Sequence, residues 1–168
     1  MKEFKIEYKY LQEEELRENW KKYPKEPVYY TEVTDANIYF YVKDKLLKNP
    51  KRIATTTDWI LDYCIRLSRA VIELKYREKV VVDGSDNPLR IEIETTNSNW
   101  IFIRFSITFN HEEKISYNGF AEGVLELLGK FLKDVDSINP ELYKIDAFKK
   151  IKENREKIRQ ILKKLNEK

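Results

Sequence analysis

The sequence predicts an α+β fold in which a mainly antiparallel sheet of about five to six strands has two long apolar helices packed on one face and is followed by a basic C-terminal helix. Several short stretches alternate apolar and polar residues with the period of two that is typical of strands, most clearly over residues 100–109. Two longer stretches repeat apolar residues at intervals of three and four, as a helix with one buried face does. The predicted strands follow one another in runs, whereas a parallel sheet would alternate strand and helix along the chain.

Length and composition indicate one folded domain spanning residues 1–168. A chain of 168 residues is near the usual size of one domain, and its 42% hydrophobic residues are enough to form a core. The first residues lack the apolar region of a signal peptide, and no run of about 18 apolar residues occurs. We therefore expect a cytoplasmic protein without a membrane partner.

The first third of the chain contains strand patterns and one short helix. Residues 4–10 alternate as a strand, and residues 12–22 could form a short helix that the two following prolines end. Residues 28–33 and 38–42 are rich in Tyr, Val and Phe, with the turn-forming sequence TDAN between them. This pattern predicts an antiparallel hairpin, followed by a connection over residues 43–51.

Two long apolar helices are predicted further along. The first follows the cap candidates at residues 55–58, where Asp58 suits the positive end of a helix, and it contains the single cysteine, Cys64, as a buried residue. The second begins near Ser116 or Asn118. Glycines inside a helix reduce its stability relative to alanine, and we expect those of the second helix to permit close packing. They are Gly119, Gly123 and Gly129.

Between these helices, three strands are predicted at residues 80–82, 89–95 and 100–109, joined by two stretches rich in turn residues. One side of this meander is apolar, and the other mixes aromatic and charged side chains, which are common in protein interfaces. The expected interaction surface combines this second side with tyrosines of the predicted hairpin. Its members are Arg90, Glu92, Glu94, Trp100, Arg104, Tyr39 and Tyr41.

The last predicted element is a basic helix over residues 140–168, which starts at the sequence Asn-Pro-Glu. This segment carries a formal net charge of +5, whereas the preceding 139 residues carry −2. The lysines could neutralise phosphates, although glutamates interrupt the run and few aromatic residues accompany it. A nucleic-acid-binding accessory or phage-type protein that uses this helix is therefore an alternative to a protein-binding module.

Several kinds of chemistry lack the residues that they need. With one histidine, His111, and one cysteine, the chain cannot assemble the ligand sets that hold zinc or most transition metals. The four glycines form neither a P-loop nor a dinucleotide fingerprint, so no cofactor is expected. Paired carboxylates leave open an enzyme with a carboxylate or Mg²⁺ site. The two candidate pairs are Asp58 with Asp62, and Glu92 with Glu94.

The order of elements over residues 58–134 resembles a known class of proteins. It comprises a helix DWILDYCIRLSRAVIEL, a strand meander that ends in WIFIRFSITF, and a helix FAEGVLELLGKFLKD. This order is similar to that of small bacterial immunity proteins from polymorphic-toxin and contact-dependent inhibition systems. The resemblance implies a cytosolic, non-enzymatic inhibitor that neutralises a toxin or effector protein by binding it. It assigns no individual functional residue, and the balanced charge differs from the acidic faces common among inhibitors of nuclease toxins.

Overall fold

A computed structural model describes residues 1–28, 34–48, 52–97, 99–106 and 109–167, which form eight strands, four α-helices and one 3₁₀ helix. The strands are β1 (Phe4–Tyr10), β2 (Asp35–Val42), β3 (Lys45–Leu46), β4 (Thr56–Trp59), β5 (Lys79–Asp83), β6 (Arg90–Asn97), β7 (Trp100–Ser106) and β8 (His111–Ser116). The helices are α1 (Glu13–Lys22), α2 (Ile60–Glu73), α3 (Tyr117–Ile138), the 3₁₀ helix (Pro140–Lys144) and α4 (Asp146–Asn166).

The strands form two antiparallel sheets of four strands each. In the first sheet β2 is central, with β1 on one side and the short strands β3 and β4 on the other. In the second sheet β5, β6, β7 and β8 follow one another as a meander. The α+β class and antiparallel pairing are confirmed. The finer prediction holds only in part, because the described residues form eight strands in two sheets instead of five to six in one, and α4 is a third long helix beside α2 and α3. The strands β3, β4 and β8 were missed because they are too short or too polar to show a clear alternation.

The predicted hairpin turn at residues 34–37 is wrong. Three of these four residues belong to β2, where Ala36 pairs with Tyr10 of β1 and with Asp58 of β4. Ala36 is also fully buried. Pairing with two neighbouring strands together with this burial outweighs the turn preference of the adjacent residues. The chain turns instead between β2 and β3, where Lys43 and Asp44 have positive φ values of 49° and 61°. The other predicted strand of the hairpin, at residues 28–33, lies outside the described residues except for Val28, which is not in a strand.

One continuous core joins the sheets and the helices. Phe40 of β2 lies at its centre, with ring centroids 6.2 Å from Phe4 of β1, 5.8 Å from Tyr63 of α2 and 5.4 Å from Phe105 of β7. Burial of such aromatic side chains contributes strongly to stability. Cys64 is fully buried in α2, as predicted. Within the described ranges, no helix combines the length and the apolar composition that crossing a membrane requires.

The C-terminal segment is broken rather than continuous. Asn139 caps the 3₁₀ helix by accepting a hydrogen bond from the Glu141 amide at 3.1 Å, and the backbone becomes extended at Ile145 before α4 begins. Helix α4 packs against α2 and α3. Its buried face includes Asn154, whose amide nitrogen donates to Ser68 Oγ at 2.9 Å. This helix is therefore part of the core and presents only its outer side to solvent.

Candidate functional site

The sheet formed by β5 to β8 has one buried and one exposed side. Its apolar side faces the core, where Ile91, Ile93, Ile103 and Phe105 are fully buried. We call the opposite side the outer face, and alternation along the strands places a mixed set of side chains on it. The outer face consists of Lys79, Val81, Asp83, Arg90, Glu92, Glu94, Trp100, Phe102, Arg104, Ser106, Glu112 and Lys114.

The strand register places three ion-paired side chains and one valine in a row across the centre of the outer face. Val81, Glu92, Arg104 and Glu112 stand opposite one another on the four consecutive strands. Arg104 Nε donates to Glu112 at 2.5 Å, and Arg104 Nη1 donates to Glu92 at 3.1 Å. These two carboxylates raise the pKa of Arg104, with Glu112 as the larger cause. The guanidinium is thus held between two neighbouring strands.

Glu92 is the acidic centre of the same network. Its carboxylate lies 3.2 Å from Lys79 Nζ and 3.5 Å from Arg90 Nε, in addition to its bond with Arg104. Hydrogen bonds from Lys79 first, and from Arg104 second, lower the pKa of Glu92. Since the outer face carries four basic and four acidic side chains, its formal charge is zero.

Large apolar side chains flank this charged centre. Trp100 is 40% exposed, Val81 39% and Phe102 37%, so each leaves a substantial apolar surface in contact with solvent. Trp100 and Phe102 are two residues apart on β7 and point to the same side, and Lys114 Nζ lies 5.2 Å from the centre of the Trp100 ring. A folded protein that exposes several large apolar groups on one face offers a surface that another molecule can cover.

The structure brings together five of the seven residues predicted for an interaction surface. Arg90, Glu92, Glu94, Trp100 and Arg104 all lie on the outer face. The other two predicted residues are on the first sheet.

Tyr39 and Tyr41 of β2 are partly exposed on the side of the first sheet that faces away from Phe40 and the core. There Tyr41 pairs with Lys5, whose Nζ lies 5.1 Å from its ring centre, and Tyr39 pairs with Glu7. The turn predicted at residues 34–37 does not form, because residues 35–37 belong to β2, and the other strand of the predicted hairpin lies outside the described residues apart from Val28. Sequence reasoning also missed Glu112 and Lys114, because the polar sequence HEEK gave no sign of the strand β8.

The candidate carboxylate pair of Asp58 and Asp62 has a structural role. Asp58 is fully buried and lies in β4, not at a helix cap. Its two oxygens accept hydrogen bonds from the backbone amides of Ser85 at 2.8 Å and Asp86 at 3.0 Å. Asp62 accepts a bond from Ser85 Oγ at 2.5 Å. These carboxylates therefore hold the loop between β5 and β6 in place.

No cluster that could serve as a metal site emerges elsewhere in the described ranges. Among their residues, no three or more His, Cys, Asp and Glu side chains are arranged to hold a metal ion. The second candidate pair, Glu92 and Glu94, lies on the outer face, where Glu92 is already engaged by cations. His111 is the first residue of β8 and pairs with Phe105.

The basic residues of α4 lie mainly on its outer side. Lys149, Lys150, Lys152, Lys157 and Lys164 are exposed. Within the same helix, Arg159 Nη1 is 3.8 Å from Glu156. The helix thus presents a basic surface that is partly neutralised.

Comparisons with known proteins give no relative from which a function could be transferred. No protein-family model matches the chain, and searches of curated proteins and of solved structures give no match either. The resemblance to immunity proteins stays a prediction.

Proposed function

We propose that this protein acts by binding another protein through the outer face. The observation that carries the proposal is the exposure of Trp100, Phe102 and Val81 around an ion-paired centre. Aromatic and arginine side chains account for much of the binding energy in protein interfaces. The occupant that fits is a folded protein with a matching apolar patch and no strong net charge.

The ion pairs of the outer face favour such a partner. Glu92 and Arg104 already satisfy each other's charge, so the surface does not need a strongly charged ligand to neutralise it. Their bonds also connect neighbouring strands, so the face is organised before binding. A surface organised in this way loses less conformational entropy when a partner binds.

As a more specific proposal, the partner is a toxin or effector protein that this chain neutralises in the cytoplasm. The resemblance of residues 58–134 to immunity proteins supports this idea, as does the lack of catalytic motifs in the sequence. Inhibition by direct binding needs an accessible and well-ordered surface, and the outer face supplies one.

The test begins with affinity capture from the native host and continues with the captured protein in purified form. The double variant Trp100→Ala/Phe102→Ala should weaken its binding by about 30-fold or more, as expected when central aromatic contacts are removed. Isothermal titration calorimetry would measure the affinity.

Tyr76→Ala is the matched control, because Tyr76 is 88% exposed but does not lie on the outer face. It should bind like the wild type. Equal affinities for the wild type and the double variant would refute the outer face as the binding surface.

A further inference from the structure

A basic groove separates α2 from the edge strand β5. It has a volume of about 500 Å³ and is lined by side chains of both elements. Its charged lining consists of four basic residues and two acidic ones. These are Arg66, Arg69, Arg77, Lys79, Glu73 and Asp83. Two of these cations have acidic partners outside the lining, since Arg66 Nη2 lies 3.6 Å from Asp62 and Lys79 Nζ lies 3.2 Å from Glu92. The excess positive charge of the groove therefore rests on Arg69 and Arg77, which share the single carboxylate of Glu73.

One edge of β5 opens into this groove. Two backbone hydrogen bonds show which residues of β5 bond to β6. They run from the Thr95 amide to the Glu78 carbonyl and from the Gly84 amide to the Leu89 carbonyl, one at each end of the strand. In an antiparallel pair, residues alternate between bonding the partner and pointing away from it. The register therefore directs the amide and carbonyl groups of Lys79, Val81 and Asp83 away from β6.

A contact at one end of the strand agrees with this direction. The Asp83 carbonyl accepts a hydrogen bond from Arg66 of α2 at 2.5 Å, across the groove. In the described part of the chain, no other backbone group pairs with the outward groups of Lys79 and Val81. Unpaired groups of this kind on an edge strand can pair with another extended chain.

Arginines line the α2 side of the same groove. Glu73 is shared by Arg69 at 2.6 Å and Arg77 at 3.5 Å, so one carboxylate faces two guanidinium groups and most of their N–H donors are left over. Arg69 and Glu73 also line an adjoining groove with Lys150 and Lys157 of α4. Neither lysine has a carboxylate oxygen within 4 Å among the described residues. The positively charged surface therefore extends from the groove beside β5 to the lysines of α4.

From these features we infer that the groove binds an extended acidic peptide segment, which pairs with β5 as an additional strand of the sheet. Backbone amide and carbonyl groups of the segment form hydrogen bonds with the outward backbone groups of Lys79 and Val81. Its carboxylates form ion pairs with Arg69 and Arg77. Because β5 also contributes Val81 to the outer face, the segment belongs to the same protein partner, and this inference rests on the proposed function. A nucleic acid fits less well, because none of the described residues that line the groove is aromatic and could stack on a base.

The first test uses a fluorescein-labelled peptide in which glutamate and valine alternate over eight residues. It should bind the full-length protein with an affinity that falls as salt rises, because side-chain ion pairs at the surface are screened. A peptide with lysine in place of glutamate and a single-stranded dT20 oligonucleotide should bind at least about tenfold more weakly. Tighter binding of the oligonucleotide would overturn the inference in favour of a nucleic-acid site.

Hydrogen exchange followed by NMR locates the bound peptide. Saturating peptide should slow exchange of the Val81 amide, which points into the groove. Exchange at Val80 should change little, because its amide already bonds to β6. If Val81 exchange were unchanged while peptide bound, strand addition would be wrong, and the arginines would act only as a surface charge.

Two pairs of variants complete the test. Arg69→Gln/Arg77→Gln should lose about tenfold in peptide affinity, whereas Lys21→Gln/Lys25→Gln, which loses the same charge elsewhere, should not. Val81→Pro removes the outward amide without breaking a bond to β6, so it should abolish binding, whereas Val81→Thr should retain it. Thermal unfolding would show whether each variant folds.

Failure of this inference can be told apart from failure of the proposed function. Trp100→Ala/Phe102→Ala leaves the groove intact and should bind the peptide normally while losing the partner protein. If no acidic peptide binds the wild type, the charged edge only protects β5 against aggregation and the inference is wrong, whatever the outer face does.

Discussion

Replacing Gly123 by alanine tests how closely α3 packs on the first sheet. Gly123 lies in the second turn of α3, opposite Phe4 of β1. A Cβ atom built at this position would lie 2.5 Å from the Phe4 carbonyl oxygen and 2.9 Å from Phe4 Cδ1. The first distance is about 1 Å shorter than the roughly 3.5 Å at which nonbonded heavy atoms attract each other. Either the helix or the strand must therefore move.

The expected loss of stability follows from two opposing effects. Alanine should favour the helix by about 1 kcal/mol relative to glycine. Overpacking costs about 1–3 kcal/mol and sometimes more, and here the obstacle is backbone of β1, which its ladder with β2 holds in place. We expect Gly123→Ala to lower the free energy of unfolding by about 2 kcal/mol. In urea this corresponds to a fall of roughly 1 M in the midpoint, measured by circular dichroism.

Gly129→Ala is the matched control in the same helix. Its Cβ would meet Arg155 Nη2 at 3.1 Å, and a flexible side-chain end can move aside. This variant should be more stable than the wild type, by about 0.5–1 kcal/mol. Equal or greater stability of Gly123→Ala relative to the wild type would refute the close approach of α3 to β1.

Three further substitutions test buried and half-buried polar groups. Asn154→Ala should lower the free energy of unfolding by about 1–3 kcal/mol, because its buried serine partner on α2 loses a hydrogen bond, and a double-mutant cycle in urea would measure the coupling. Asp58→Ala should cost about 3 kcal/mol and speed hydrogen exchange at the Ser85 and Asp86 amides, while unchanged exchange would contradict its role in the loop. Asp35→Asn should stabilise the protein at pH 7, because desolvation and then the carboxylates of Asp86 and Asp58 raise the pKa of Asp35 in the folded state. Its gain should disappear as the pH falls below the unfolded pKa of about 3.9, so equal urea midpoint shifts at pH 7 and pH 3 would contradict it.

Local patterns in the sequence determined several elements correctly. The alternation of residues 100–106 predicted which side chains of β7 are buried and which are exposed. Ser116 was a predicted cap of the second apolar helix, and its Oγ accepts a bond from the Gly119 amide at 2.9 Å. A short helix was predicted over residues 12–22, and α1 forms there with Leu16 and Trp20, which are four residues apart, buried. Each of these features depends on residues that are close together in the chain.

Contacts between distant residues decided the rest. Residues 35–37 resemble a turn in isolation, but pairing with β1 and β4 on both sides makes them a strand. Asp58 has the chemistry of a helix cap, yet its carboxylate binds amides 27 and 28 residues further along.

The outer face and the groove likewise depend partly on local sequence and partly on tertiary contacts. The alternation of apolar and polar residues determined which side chains of the meander point to its outer face. Strand β8 completes that face, although its sequence has little strand character. The groove exists only because α2 lies beside the open edge of β5. The periodicity of apolar residues indicates whether a segment forms a helix or a strand. Which side chains are buried, which strands pair and which charged groups become neighbours depends on how distant segments pack together.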